Sequence, residues 1–203
     1  MPEGAIGFGQ WRTYLHLQDK DYAVPEQLRQ VVKYLDDRKI DYHKYEFYTT
    51  ENESYNLHKR VIIPYYYQDQ IVGYTARALD SSIKPKYWSN HPADFVFNLD
   101  NQHDDKAFVI VCEGPFDAIS IDGCALLGAE VKDSQNWLLK QLGKEIVLVP
   151  DRDHEGPRTV EQALEYGWSV SMPDWPDGIK DVNDAVTKYG RLAVLYLILQ
   201  TKE

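Results

Sequence analysis

The chain has 203 residues, 43% of them hydrophobic, and a formal net charge of −10, which allows one large domain or two small ones with a real core. No stretch approaches the roughly 20 apolar residues needed to span a bilayer. The N-terminal Met-Pro-Glu-Gly-Ala-Ile-Gly has neither the basic nor the apolar region of a signal peptide, so a cytoplasmic protein without membrane association is expected.

In chain order, the first predicted element is a helix from Pro25 to Leu35, with apolar residues at Leu28, Val31, Val32 and Leu35 and a proline suited to a helix start. Arg60–Tyr67 and Ile71–Leu79 read as two strands of a hairpin joined by Gln68-Asp69-Gln70. Residues 80–106 are polar and read as irregular, and a domain boundary is expected near 100–106, dividing the chain into 1–104 and 105–203. The second half alternates. Strands are expected at Ala107–Cys112, Cys124–Leu127, Glu145–Val149 and Trp168–Met172. Helices are expected at Pro115–Asp122, Ser134–Leu142, Pro157–Tyr166, Val182–Tyr189 and Leu192–Leu199. Continuously apolar strands alternating with helices imply a parallel sheet covered on both faces, whose ligands bind beyond the carboxyl ends of the strands.

The two cysteines, Cys112 and Cys124, sit in apolar runs and read as core residues of a reducing compartment; they are too few for the common zinc sites. The charge is unevenly spread. Residues 1–90 carry 12 Lys+Arg against 12 Asp+Glu, while residues 91–203 carry 10 against 20. Such a single-sign field fits either bound divalent cation or a solvated acidic surface, and charge alone does not separate the two.

Acids fall where the parallel-sheet rule places a site. Glu113 ends one strand in Glu-Gly-Pro-Phe-Asp117, Asp151-Arg-Asp153 follows another, and Asp181-Val-Asn183-Asp184 opens a helix after a third. A lone Asp-x-Asp is usually a surface turn, and a lone Asp181 or Asp184 is usually a helix cap. Acids at three strand ends repel one another, and hard oxygen ligands at such spacing suit Mg²⁺ or Mn²⁺, which hold phosphates and activate a hydroxyl. Gly114 is read as letting the backbone turn off its strand toward a ligand, and Gly156 as doing the same before a helix N-terminus that offers amides to phosphate.

Val111-Cys-Glu113-Gly114-Pro-Phe-Asp117 with Val149-Pro-Asp151-Arg-Asp153-His-Glu-Gly156 resembles the TOPRIM pattern of bacterial-type primases, topoisomerases and some nucleases. The upstream half is similar to the module preceding TOPRIM in DnaG-type primases: Tyr34-Leu-Asp-Asp-Arg38-Lys-Ile40, Arg60–Pro64, Ile71–Arg77 and Pro85-Lys-Tyr87 with Ser89-Asn90. Lys180-Asp181-Val-Asn183-Asp184 resembles the element closing their metal site, and the wording Glu-Gly-Pro-Phe-Asp-Ala-Ile is most like bacteriophage primases. The resemblance implies an α/β TOPRIM domain after a small mixed α+β subdomain, and RNA primer synthesis on single-stranded DNA from ribonucleoside triphosphates. It implies that Glu113 is a catalytic acid/base and metal residue, that Asp151 and Asp153 are catalytic metal ligands, and that Asp117 and Asp181 complete the site. Arg60, Arg77, Lys84, Lys86 and Asn90 would hold template and nucleotide. Tyr87, Trp88 and Tyr65–Tyr67 are readable as base-stacking or as packing residues, and His154 as a phosphate contact or an exposed loop histidine.

The family's zinc module and helicase-binding domain have no counterpart in this sequence, so the chain is expected either to be a fragment of a longer primase or to find those functions in trans. Asn183 stands where some primases have Asp, which implies weaker hold on a second metal, and Lys39 replaces a common Gly, expected to be neutral. The acids alone also fit a TOPRIM nuclease, and the fold alone a non-catalytic recombination mediator.

Overall fold

The computed structural model describes residues 1, 5–7, 25–53, 56–102, 105–152 and 156–203. They form two compact units, Met1–Pro92 and Ala93–Glu203.

Among the described residues of the first unit, five strands form an antiparallel sheet in chain order: β1 (Ile6–Gly7), β2 (Tyr48–Thr49), β3 (Arg60–Tyr67), β4 (Gln70–Ala78) and β5 (Tyr87–Asn90). The β3–β4 hairpin turns on Gln68 and Asp69, both at positive φ (49° and 63°), as two-residue hairpin loops require for the strand twist. Helix α1 (Glu26–Asp37) buries Leu28, Val31 and Leu35, the stripe read from the sequence. It is tied to the sheet by Gln27 Nε2, which donates to Thr49 Oγ1 at 2.8 Å. At its end the Lys39 amide donates to the Asp36 carbonyl and the Ile40 amide to that of Leu35, both at 3.0 Å, with Lys39 at φ 55°. This is a left-handed helix stop, the conformation that favours glycine. Strand β5 lies within the stretch expected to be irregular. All four of its residues are exposed, so it carries no apolar pattern; it exists because it pairs with Tyr74–Arg77.

In the second unit the strands are β6 (Phe108–Cys112), β7 (Cys124–Ala125), β8 (Glu145–Leu148) and β9 (Ser169–Val170), in the order β7-β6-β8-β9 and parallel throughout. The helices are α2 (Pro115–Ile121), α3 (Asp133–Lys140), α4 (Gly156–Glu165), α5 (Val182–Tyr189) and α6 (Arg191–Gln200). One sheet face packs Val109, Val111, Ile146 and Leu148 against Leu139 of α3, Ala163 of α4 and Trp168. The other packs Ile110, Cys112, Val147 and Val149 against Val182, Val186, Val194 and Ile198 of α5 and α6. Cys124 belongs to the first cluster and Cys112 to the second, so the two thiols lie on opposite faces of the sheet. Both outer edges are closed by single antiparallel bridges, Phe97 to Ala125 and Ser171 to Lys202. Residues 93–102 therefore pack with this unit rather than with the first. No helix among the described residues is long and apolar enough to cross a membrane.

Candidate metal centre and nucleic-acid surface

Glu113 follows β6 and Asp151 follows β8, neighbouring strands held in parallel register. Glu113 is 9% exposed and accepts a hydrogen bond on Oε1 from the Asp151 amide at 3.2 Å, so one acid fixes the backbone that carries the other. Asp117, in the first turn of α2, is buried and accepts from the Asn183 amide at 2.8 Å. Asp181 caps α5, its Oδ1 accepting from the Asp184 amide at 2.7 Å. Burial first, then the charges of Asp117, Asp151 and Asp181, push the Cys112 thiol well above its ordinary range. Carboxylates from three segments thus act electrostatically on Cys112 at the end of β6.

The structure changes the sequence reading at three residues. Gly114 has φ −104° and ψ 152°, extended backbone open to any residue; a Cβ there would stand 3.0 Å from Asp117 Oδ2, a tight contact to which that carboxylate would have to yield. Asn183 is 1% exposed and its Nδ2 donates to Ser120 Oγ at 2.8 Å, so it ties α5 to α2. Arg152, in the sequence only the middle of Asp-x-Asp, donates to the carbonyls of Trp175 (2.7 Å) and Pro173 (2.8 Å) and pairs with Asp174 at 3.5 Å. It fastens the segment after β9 to the loop bearing Asp151, a role invisible without the fold.

Asp153 and His154 lie outside the described residues. Among the described residues no group of three or more His, Cys, Asp or Glu side chains is arranged to hold a metal ion. The donor chemistry does fit one. Glu113, Asp117, Asp151 and Asp181 offer carboxylate oxygen, the hard ligand that Mg²⁺ and Mn²⁺ prefer, and the Glu113 side chain is tied to the Asp151 main chain.

In the first unit the basic residues divide. Arg60 is 2% exposed; its Nε donates to the Asn56 carbonyl at 2.8 Å, and Nη1 lies 3.5 Å and 3.4 Å from the carbonyls of Ala76 and Lys86. Desolvation holds its pKa below the usual arginine value. It is buried at the root of the hairpin with its donors turned to main-chain carbonyls, whereas the sequence reading has it holding template or nucleotide. Arg77 is half-buried: Nε donates to the Tyr34 hydroxyl at 3.2 Å, the guanidinium sits 4.6 Å over the Tyr87 ring, and Nη1 is buried without a hydrogen-bond partner. Arg38 lies 5.0 Å over the Tyr34 ring and Lys86 5.4 Å from that of Tyr87. Arg38, Tyr34, Arg77, Tyr87 and Lys86 thus alternate cation and ring from α1 to β5. Lys84, Tyr87 (43%), Trp88 (39%) and Asn90 are exposed on or beside that edge, whereas Tyr65 is fully buried.

Residues 110–186 match the Toprim-like family model. No curated protein matches the sequence. Among solved structures, the DnaG primase catalytic domain bound to single-stranded DNA superposes with a TM-score of 0.68 at 18% identity, covering 95% of this chain and 76% of that one. The Aquifex aeolicus primase zinc-binding and RNA polymerase domains give 0.59 at 21%, covering 72% of this chain and 41% of that one. The primase fragment of the bacteriophage T7 primase-helicase protein gives 0.56 at 18%, covering 82% and 70%. This chain therefore spans less than half the length of the Aquifex structure and about three quarters of the DNA-bound one. A Toprim-like parallel-sheet unit preceded by an antiparallel unit is the fold that this chain shares with these primase structures.

Proposed function

We propose that this chain is the catalytic core of a DNA primase, joining ribonucleotides into short primers on a single-stranded DNA template. The observation that carries the reading is the set of acids at the carboxyl ends of β6 and β8, in a Toprim-like unit whose preceding antiparallel unit bears the cation–aromatic row. Glu113, Asp151 and Asp181, with Asp117 and Asp153 completing the set, would hold Mg²⁺ or Mn²⁺. Such an ion supplies charge neutralisation at a triphosphate and lowers the pKa of a bound hydroxyl. Glu113 positions the Asp151 loop by accepting from its amide and is placed to take the proton of an attacking 3′-hydroxyl. Arg77, Lys84, Lys86 and Asn90 hold the phosphate backbone of template or nucleotide, while Tyr87 and Trp88 offer rings to unpaired bases. A zinc module and a helicase act from other chains or segments; the T7 relative is named as a primase-helicase protein.

The test is incorporation of labelled ribonucleotide on single-stranded DNA with Mg²⁺ or Mn²⁺. Glu113→Gln and Asp151→Asn are expected to lower it by about 10²-fold or more, in line with loss of a general acid/base or a metal ligand. Wild-type synthesis by both variants would sink the proposal, and cleavage of DNA without nucleotides would favour a nuclease.

A further inference from the structure

The carboxyl ends of β8 and β9 and the start of α4 enclose a cavity of about 490 Å³. Pro157 and Val160 of α4 form one wall, and Met172, Pro173 and Trp175 form the other, with Asp151 beside them. The size lies within the range of about 300–1,000 Å³ common to small-molecule sites, and the lining is mostly apolar, as such sites are. The shape is held in place. Arg152 binds the Pro173 and Trp175 carbonyls, so the wall after β9 is fixed to the loop that carries Asp151. Trp175 is 5% exposed and belongs to the core cluster under β8, whereas Met172 is 65% exposed, an apolar, polarisable side chain left at the mouth.

Resting on the reading that Asp151 helps to hold a metal-bound triphosphate, we propose that this cavity receives the base and sugar of that nucleotide. Three features argue for this occupant. The cavity adjoins the carboxylate at which the phosphates would sit, as a nucleotide's own connectivity demands. Its walls are proline, valine, methionine and tryptophan, which meet a flat ring by van der Waals contact and offer no hydrogen-bond pattern to tell one base from another. A template-directed enzyme needs that indifference, because the template strand does the reading. The polar groups of the lining fit as well: the Arg152 guanidinium is already committed to main-chain carbonyls, and Glu161 leaves one carboxylate on α4 to accept from a ribose hydroxyl, which every ribonucleotide carries.

Calorimetric titration of the whole chain with Mg²⁺-ATP, Mg²⁺-UTP and Mg²⁺-tripolyphosphate separates the base from the phosphates. The wild type is expected to bind both nucleotides more tightly than tripolyphosphate, and by similar amounts. Met172→Glu, at an exposed position, is expected to weaken both nucleotides at least tenfold and to leave tripolyphosphate within twofold, while Met172→Leu stays near wild type. Nucleotide binding by Met172→Glu at wild-type strength overturns the cavity proposal and spares the acid site. The cavity proposal also falls, with the acid site again spared, if that variant loses tripolyphosphate in parallel or if the wild type binds nucleotides no better than tripolyphosphate. A wild type that binds no tripolyphosphate in Mg²⁺ overturns the acid-site reading and the proposal with it.

Discussion

The guanidinium of Arg60 is buried among the carbonyls of Asn56, Ala76 and Lys86, and that of Arg77 is half-buried between Tyr34 and Tyr87. Removing the first leaves buried acceptors without a charged donor; removing the second takes a donor from the Tyr34 hydroxyl and a cation from the Tyr87 ring. Arg60→Met is therefore expected to lower unfolding free energy by about 2–3 kcal/mol in urea titrations. Arg77→Ala should cost less stability but reduce the salt dependence of single-stranded DNA binding, by about 0.7 in the log–log slope if it neutralises one phosphate. The sequence does not tell these residues apart, since each is an arginine near the end of a strand where it meets a polar stretch. Register decides: Arg60 pairs with Ala78 and Arg77 with Val61, and a shift of one residue sends a side chain to the other face. Glu113 and Asp151 are legible for the opposite reason. Each closely follows a continuously apolar run, and strand ends in a parallel sheet are where ligands bind. The role of Asn183 is hidden in the sequence because its partner Ser120 is 63 residues away.

At the scale of elements, local chemistry and tertiary context can be separated at the end of α1. Lys39 holds φ 55° there, a conformation that costs an L-residue with a Cβ about 1 kcal/mol or more relative to glycine. Lys39→Gly is expected to raise stability by about 1 kcal/mol, seen as a higher urea midpoint at unchanged slope; no change would mean that the lysine side chain compensates. A replacement that looks neutral in the sequence thus carries a local strain. Helix α1, the hairpin, β6 and β8 can be read from periodicity because each buries a whole face or both. Strand β5 cannot, because its exposed residues are strand-forming only by virtue of β4. Strand β9 is shorter than the expected Trp168–Met172: only Ser169 and Val170 pair with β8, and the chain then turns to form the wall that Arg152 holds.

For the molecule as a whole, the excess negative charge lies in residues 91–203, the part that carries the acids of the candidate centre. A cation bound only by the folded state stabilises it by about 2.7 kcal/mol at a concentration 100 times its dissociation constant. Mg²⁺ is accordingly expected to raise the melting temperature of the wild type and EDTA to reverse this, whereas Glu113→Gln and Asp151→Asn should show a much smaller rise; equal rises in all three would point to diffuse binding on an acidic surface. The same unit shows how a parallel sheet ends. Beyond β9, Ser171 bridges Lys202, and the amide and carbonyl of Val170 are answered by those of Glu203, at 3.0 Å and 2.9 Å. Lys202 is also paired with Glu145, and with Ser169 it holds the Glu145 carboxyl below its ordinary range. Removal of residues 201–203 would leave the main chain of β9 as an open template for a strand from another molecule. The truncated protein is therefore expected to self-associate, with scattering that grows with concentration while the intact chain stays monodisperse, so that three residues remote from the acids serve as the molecule's guard against aggregation.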